Sequence, residues 1–223
     1  MKFSVIYKPT SLFSLKSSNA TNSGAKSLLL PSPYAIKMAI LNQAITVGGD
    51  LERLSDENNK EFVYIRDAKI EYFLSEGGFF CVNNSFVKIL KPAREGGGFQ
   101  QTVAFREYVY ISDDIEIIFE VKDEVAKDYL KRYLFRINYF GKKGCFFQFV
   151  KYSDYPNEAN AKIFSADNFV PGILEEYDDF DGSVVFDNVN NYSSARTKRE
   201  SKILSIPVSK VSSSKSFSCY KVN

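Results

Sequence analysis

The sequence predicts an α+β fold in which two helices pack on an antiparallel sheet. Three observations lead to this prediction. Residues near the amino terminus alternate between apolar and other side chains, as in a strand with one buried face. Two later segments carry apolar residues at helical spacing, and each follows a residue that can cap a helix. Several strand-like segments, bounded by glycine, asparagine or aspartate, lie between and after these helices.

The first strand is expected over residues 3–7, where Phe3, Val5 and Tyr7 alternate with their neighbours. Residues 8–32 are rich in serine, asparagine and threonine and show no periodicity. This composition predicts a polar loop.

The first helix is expected to begin at Pro33, because Ser32 can cap it and proline suits the first helical position. The pair Gly48-Gly49 is expected to end it. Residues 50–60 are polar and predict a loop. Residues 62–65 are rich in strand-forming side chains and predict the start of a strand.

A strand is expected over residues 68–74, and another over residues 79–90, broken at Asn83-Asn84. Three consecutive glycines follow at positions 96–98, and they cannot pack as a regular element. They predict either a finger that becomes ordered on a partner or a disordered hairpin tip.

Residues 104–110 and 115–121 are expected to be paired strands. Asp123 can cap the second helix, whose apolar residues between 125 and 134 have helical spacing. A last strand of the main domain is expected over residues 145–152. Without the glycine-bearing insertion, the order is βαββαβ, which is the split-βαβ or ferredoxin-like plan.

The character of the chain changes after residue 152. Residues 151–190 hold two lysines and nine acidic residues, and residues 191–223 hold seven basic residues and Glu200. Two different surfaces are therefore expected. Residues 153–223 predict an extension of short strands and loops, partly packed on the main domain, with one strand over 203–208.

The composition excludes several classes of catalytic and metal site. The chain of 223 residues has no histidine, which removes Ser-His-Asp and Cys-His nucleophilic sites and histidine-bound metals. Cys81, Cys145 and Cys219 are widely spaced and form no CxxC pair, so neither a zinc site nor a disulfide framework is indicated. We expect no cofactor and no metal.

No apolar run is long enough to cross a membrane, and the amino-terminal residues are typical of a strand and not of an export signal. A cytoplasmic protein without a membrane partner is therefore expected. The net charge is only +2, so the overall charge does not by itself indicate a nucleic-acid partner.

The most informative stretch for function spans residues 137–147. It contains Gly141-Lys142-Lys143-Gly144, with Tyr139 and Phe140 before it. Glycine permits a positive φ and the close approach of another backbone, and lysines on such a turn can bind phosphates. The aromatic side chains could stack on bases. The alternative is a hairpin-like turn with solvated lysines.

Further candidate residues for RNA binding lie in the polar loop, on the first helix and around the insertion. Loop lysines beside hydroxyl and amide groups could hold a phosphodiester backbone, although the loop could equally be a mobile surface segment. A lone lysine on a helix is usually solvated. The candidates are Lys16, Lys26 and Lys37, and the insertion adds Arg94 and Phe99 as residues that could become ordered on a partner.

Three features in this order resemble the Cas five family of CRISPR-associated RAMP proteins. The first is Asn-x-x-Asn-Ser-Gly-x-Lys-Ser followed by Pro-Ser-Pro-Tyr and a buried helix, within residues 16–34 and beyond. The second is the glycine-bearing insertion, and the third is the stretch 137–147. The resemblance covers about residues 1–150 and is closest to the short members of type I-A and I-B systems.

The resemblance implies a ferredoxin-like, RRM-like RAMP body over residues 1–152, with a β-hairpin thumb around residues 79–110 and its tip at 91–105. It implies that Gly141 to Gly144 form the glycine-rich loop of the RNA face. Members of the family hold the 5′ handle of the guide RNA (crRNA) in type I Cascade complexes. The implied partners are the crRNA 5′ handle, the Cas seven backbone subunit, the Cas eight large subunit and, nearby in the assembled complex, target DNA.

By this resemblance, Lys16, Lys26 and Lys37 would line the handle groove, and Arg94, Phe99 and Arg106 would serve the thumb. One branch of the family cuts precursor RNA with tyrosine, histidine and lysine. Because histidine is absent here, binding without cleavage is expected. A metal-independent endoribonuclease is the alternative, and a protein-interaction module that binds no RNA is the third.

Some type I-B-like Cascades serve Tn7-like transposons, in which the complex directs insertion. Nothing in this sequence separates CRISPR defence from RNA-guided transposition, so both roles stay open.

Overall fold

The computed structural model describes residues 1–20, 24–165 and 170–223. The strands are β1 Lys2–Pro9, β2 Leu15–Lys16, β3 Gly24–Ala25, β4 Ser27–Leu28, β5 Lys69–Leu74, β6 Phe79–Pro92, β7 Phe99–Ile111, β8 Ile115–Glu120, β9 Phe147–Ser153, β10 Lys162–Ile163, β11 Ile173–Phe180, β12 Arg199–Ile206, β13 Val208–Ser213 and β14 Phe217–Val222. The helices are α1 Pro33–Thr46, α2 Leu51–Ser55, α3 Glu61–Arg66 and α4 Glu124–Leu134, and a 3-10 turn spans Phe186–Asn188.

A four-stranded antiparallel sheet lies at the centre of the protein, in the order β5-β8-β1-β9. Phe3, Val5 and Tyr7 of β1 are fully buried, and the ring of Phe3 stacks on that of Phe119 with centroids 5.2 Å apart. α1 and α4 contact each other, and the hydroxyl of Tyr7 in β1 donates to the carbonyl oxygen of Leu134 at the end of α4. The predicted α+β class is confirmed, with far more strands than helices among the described residues.

Local capping signals place both long helices where the sequence predicts them. Ser32 Oγ accepts a hydrogen bond from the backbone N–H of Ala35 at 3.2 Å, and Pro33 is the first residue of α1. Asp123 Oδ1 accepts from the N–H of Ala126 at 2.9 Å at the start of α4. Each cap satisfies a backbone donor that has no partner inside its helix.

The segment between α1 and β5 differs from the prediction. The expected strand at 62–65 is part of α3, and the expected loop contains α2. Phe62 and Ile65 are buried three positions apart, which places both on one face of the short helix against the core. Packing therefore overrides the strand preference of these side chains.

A long hairpin of β6 and β7 leaves the central sheet between β5 and β8. Its register runs without a break from Phe80 opposite Ile111 to Pro92 opposite Phe99. The predicted break at Asn83-Asn84 is therefore wrong. The predicted pairing of residues 104–110 with 115–121 is also wrong, because β7 pairs with β6 and β8 pairs with β1 and β5.

The segment after β9 packs on the first long helix and on the hairpin. β11 contacts α1, and Tyr177 and Phe180 join the hydrophobic core. β14 pairs with β6, where Cys219 lies opposite Cys81 with the two sulfur atoms 2.8 Å apart. The strand expected over 203–208 is divided at Pro207 between β12 and β13.

The amino-terminal segment that was expected to be one polar loop contains three very short strands. β2 pairs with β4, and β3 pairs in parallel with β7 of the hairpin. None of the helices in the described ranges combines the length and apolar character needed to span a bilayer.

Candidate nucleic-acid interface

The glycine-rich loop joins α4 to β9 and closes on itself through backbone hydrogen bonds. The N–H of Phe140 donates to the carbonyl of Cys145, and the N–H of Cys145 donates to the carbonyl of Lys142, both at 3.2 Å. Gly141 and Gly144 have φ of 69° and 102°, a region that other residues rarely adopt. The two glycines thus turn the chain so that Lys142 and Lys143 are exposed at the tip of the loop.

The base of this loop is fixed in the core. The ring of Phe140 is fully buried and makes edge contacts with Tyr7 and Phe147, with centroids 5.1 and 5.0 Å away. The prediction that Phe140 could stack on bases is therefore wrong, because no base can reach it. Tyr139 is half-buried and forms an isolated bridge with Phe146. The lysines are thus carried on a rigid base, which limits the entropy lost on binding.

The segment around β2 lies directly against the glycine-rich loop. A Cβ atom on Gly141 would lie only 2.9 Å from Cδ2 of Leu15, and the thiol of Cys145 donates to the carbonyl of Ser14 at 3.5 Å. Lys16 follows Leu15 and is exposed. The structure therefore brings the predicted residue Lys16 to a segment that neighbours Lys142, although they are far apart in sequence.

Lys26 is exposed, but it borders an acidic cleft of about 570 Å³. There the carboxylate of Glu107 accepts from the N–H of Ser27 at 2.9 Å, and that of Glu175 accepts from the N–H of Leu29 at 3.0 Å. These carboxylates oppose the binding of a polyanion inside the cleft. Residues 21–23, which belong to the motif of the resemblance, lie outside the described residues.

Lys37 is not available to RNA, which corrects the prediction. Its side chain is only 2% exposed, and its Nζ lies 2.6 Å from Oδ1 of Asp179. The same Nζ donates to the carbonyl of Arg66 at 2.7 Å. Burial lowers the pKa of Lys37, and the Asp179 carboxylate opposes this shift. The residue has a structural role, as the internal partner of a buried carboxylate.

The three predicted thumb residues occupy two parts of the hairpin. Arg106 is half-buried about halfway along β7, opposite Ser85 of β6, and Ala25 of β3 pairs with it. Arg94 and Phe99 lie at the exposed tip, and Arg106 follows Phe99 by seven positions in β7, which is roughly 23 Å along a strand. The structure therefore groups Arg106 with the amino-terminal segment and leaves Arg94 and Phe99 apart from it.

The outer part of the hairpin exposes an apolar face. Phe86 and Phe99 are 77% and 74% exposed, and Leu90 and Val103 also face solvent. A two-stranded hairpin with so much exposed apolar surface is marginally stable in isolation, so a face of this kind is typical of a binding surface.

Sequence reasoning missed a groove beside the glycine-rich loop, which has a volume of about 450 Å³. Phe135 and Phe146, which border it, are each nearly half exposed. The guanidinium of Arg136 lies over the ring of Phe135, 4.8 Å from its centroid. The available signal was the strand period, which places Phe146 on the face opposite to Cys145 and Phe147. We name Phe135, Arg136 and Phe146 the aromatic groove.

The site therefore combines exposed lysines, aromatic faces and a backbone turn that needs glycine. Cations neutralise phosphates, and exposed aromatic faces stack unpaired bases without regard to their identity. Three buried tyrosines take no part in it. Burial raises the pKa of Tyr7, Tyr72 and Tyr177 well above the usual value, so their hydroxyls stay protonated.

Comparison with known proteins finds a related sequence and similar solved structures. No family model matches the chain. A curated relative from Archaeoglobus fulgidus, named CRISPR-associated protein Cas5, is 27% identical over 195 residues, which is 82% of this chain and 81% of the relative.

A crystal structure of a CRISPR protein from Archaeoglobus fulgidus covers 100% of this chain and 92% of its own, with a TM-score of 0.44 and 12% identity. A chain in the type III-B Cmr-beta complex bound to cognate target RNA and AMPPnP has a TM-score of 0.41 and 11% identity, covering 97% of this chain and 86% of its own. The resemblance predicted from the sequence is confirmed by the related sequence, and this chain is a homologue of a protein of the Cas five family.

Proposed function

We propose that this chain is a CRISPR-associated RNA-binding subunit, and that it holds the 5′ handle of the crRNA in a type I Cascade complex. The observation that supports this most directly is the glycine-rich loop. It presents Lys142 and Lys143 from a buried aromatic base, next to Lys16 and the aromatic groove, in a homologue of Cas five.

The chemistry of such a subunit is charge neutralisation, stacking and shape. Lys142 and Lys143 would bind phosphates, and Gly141 and Gly144 would let the RNA backbone approach the loop closely. Tyr139, half-buried at the start of the loop, would border the same strand of RNA. Because exposed cations bind by counterion release, the affinity should fall with added salt.

The fold proposed for this function is a ferredoxin-like RAMP domain over residues 1–152. The observed sheet order supports it, since strands one to four of the βαββαβ plan appear in the spatial order 2-3-1-4 with antiparallel neighbours. The hairpin around residues 79–110 would be the thumb, with Arg94 and Phe99 at its tip and Arg106 about halfway along it. Residues 153–223 would be the carboxy-terminal extension.

The partners proposed with this role are the Cas seven backbone subunit and the Cas eight large subunit, which the chain would bridge, with target DNA nearby. The complex would work in the cytoplasm of a prokaryote, in CRISPR defence or in RNA-guided transposition. The exposed apolar face of the hairpin, which includes Phe86 and Leu90, supports docking to another macromolecule.

We propose binding without cleavage. The chain has no histidine, so a general acid–base pair would have to come from tyrosine and lysine alone. The metal-independent endoribonuclease stays the second candidate, since carboxylates, lysine or tyrosine can catalyse in principle. It predicts that repeat RNA is cut without added metal.

The test uses repeat-derived RNA that carries the 5′ handle, with the purified protein and with the co-expressed complex, at two salt concentrations. Lys142→Ala/Lys143→Ala is compared with Lys60→Ala/Lys122→Ala, which removes the same charge from exposed positions elsewhere. We expect salt-sensitive binding that only the first variant weakens, and intact RNA on a denaturing gel.

Each other outcome has a separate meaning. Binding that is indifferent to Lys142 and Lys143 would contradict the assignment of the loop. Cut RNA would support the nuclease. RNA binding no better than background, in both settings, would leave a protein-interaction module as the function.

A further inference from the structure

A second basic site lies beyond the aromatic groove, where the chain turns from α1 into α2. It is an open pocket of about 430 Å³ with Gly48 in its lining. Three arginines border the pocket: Arg53 from α2, Arg132 from α4, and Arg136 from the segment after α4. Arg136 also borders the aromatic groove, so the two concavities share a residue.

The floor of this pocket is rigid. The buried carboxylate of Asp50 accepts hydrogen bonds from the hydroxyls of Tyr133 at 2.5 Å and Tyr129 at 3.2 Å, which ties the start of α2 to α4. A Cβ on Gly48 would collide with the Tyr133 hydroxyl and with the carbonyl oxygen of Ala44. Burial raises the pKa of Tyr129 and of Tyr133, so both stay neutral donors. The arginines therefore project from a fixed frame.

The charge of the pocket is strongly positive. Three guanidinium groups face one carboxylate, that of Asp50, which is already engaged by two tyrosines. The ion pair between Arg53 and Asp50 is long, with Nη1 of Arg53 3.9 Å from Oδ1 of Asp50. Arg132 lies over the ring of Tyr129 at 5.9 Å, and Arg136 lies over Phe135. Arg132 also donates a hydrogen bond to the Tyr133 hydroxyl. A guanidinium has five N–H donors, so each arginine keeps donors that can bind an oxyanion.

We infer that the pocket of Arg53, Arg132 and Arg136 binds a backbone phosphate of the RNA strand that passes the glycine-rich loop. This inference rests on the proposed function. Guanidinium groups match phosphate oxygens with paired N–H donors, which a solvated lysine does not do. Tyr139 follows Arg136 by only three positions, a span of at most about 11 Å of chain. A strand that leaves the loop would cross the aromatic groove and reach the arginines next.

The experiment compares Arg53→Gln/Arg132→Gln with Lys60→Gln/Lys122→Gln, which loses the same charge elsewhere. Arg136 is left in place because it also borders the aromatic groove. The probe is the handle RNA, at full length and shortened one nucleotide at a time from either end. We expect the arginine variant to bind full-length RNA about tenfold more weakly at low salt. We also expect its salt dependence to be less steep by about 0.7, the value for one phosphate of a single strand.

When the RNA is too short to reach the pocket, the arginine variant and the wild type should bind it with equal affinity. Lys142→Ala/Lys143→Ala should still weaken binding of this shortened RNA. This pattern separates the two proposals. If the lysine variant weakens binding and the arginine variant does not, the inference about the pocket is wrong and the proposed function stands. If the wild type binds no RNA, both are wrong.

A last arm tests inorganic phosphate by calorimetry. If the wild type binds inorganic phosphate and the arginine variant does not, while their RNA affinities are equal, the pocket is a site for free anions and the inference is overturned. The thermal midpoint of the arginine variant should fall only slightly, because its exchanged side chains are exposed and the Asp50 carboxylate keeps its hydrogen bonds from Tyr129 and Tyr133. The lysine control should match the wild type.

Discussion

Lys37 and Asp179 form an ion pair inside the protein, with Nζ and Oδ1 2.6 Å apart, and the pair joins α1 to β11. Lys202 forms a longer ion pair with the same carboxylate, with its Nζ 3.8 Å from Oδ2 of Asp179. The pair therefore connects the carboxy-terminal segment to the first long helix. Lys37, which the sequence predicted to bind RNA, is instead part of the core.

Lys37→Met should destabilise the protein and leave its RNA affinity unchanged. Removing one partner of a buried pair leaves the other charge without compensation, which costs about 3–5 kcal/mol. The free energy of unfolding in urea measures this loss. Lys37→Met/Asp179→Leu should recover much of it, because an apolar pair of similar volume needs no compensation. Unchanged stability together with weaker RNA binding would return Lys37 to the RNA interface.

The contrast between Lys37 and Lys142 shows what the sequence could predict. The helix around Lys37 was predictable because its cap, Ser32, is a local signal. Its ion pair was not, because Asp179 is 142 positions away in the chain. The exposure of Lys142 followed from the flanking glycines, whose backbone requirement is also local.

Errors elsewhere have the same physical origin. The strand predicted at 62–65 is helical because burial of Phe62 and Ile65 outweighs local preference. The aromatic groove was missed because the sequence alone does not tell which of several phenylalanines is exposed. Phe146 is exposed and Phe140 is buried, and tertiary packing decides that difference.

Gly141→Ala should distort the glycine-rich loop. A residue with a Cβ at a φ of 69° costs about 1–2 kcal/mol, and here the Cβ would also press on the buried side chain of Leu15. We expect a lower thermal midpoint and weaker RNA binding. Gly97→Ala is the matched control for the thermal midpoint, since its φ is 72° but its Cβ would meet open space. Equal losses in the two variants would show that contact with Leu15 is unimportant.

Phe146→Ala should weaken binding of single-stranded RNA without unfolding the protein. The ring is 47% exposed beside the loop, and loss of one stacked base costs about 1–3 kcal/mol. This corresponds to roughly fivefold to 150-fold in the dissociation constant. Fluorescence anisotropy with handle RNA measures the change. Tyr192→Ala removes a fully exposed ring that lines neither the aromatic groove nor the arginine pocket, and it should have no effect. Similar losses from both variants would contradict a specific stacking site.

Glu175 should make stability depend on pH in a defined direction. Burial raises the pKa of Glu175 above its ordinary value of 4.5, although the N–H of Leu29 and the hydroxyl of Tyr177 donate to it and oppose the shift. The folded protein therefore holds this proton more tightly than the unfolded chain does. As the pH rises above 4.5, the unfolded chain releases the proton first, so the free energy of unfolding falls until the folded pKa is passed.

Glu175→Gln removes this ionisation and keeps an oxygen that can accept from Leu29. Relative to the variant, the wild type should be most stable below pH 4.5, lose stability as the pH rises, and reach a constant difference above its folded pKa. Urea unfolding of both proteins at a series of pH values measures that difference. A constant difference across the series would show that Glu175 has the same proton affinity folded and unfolded. A rising difference would show that the hydrogen bonds from Leu29 and Tyr177 outweigh burial.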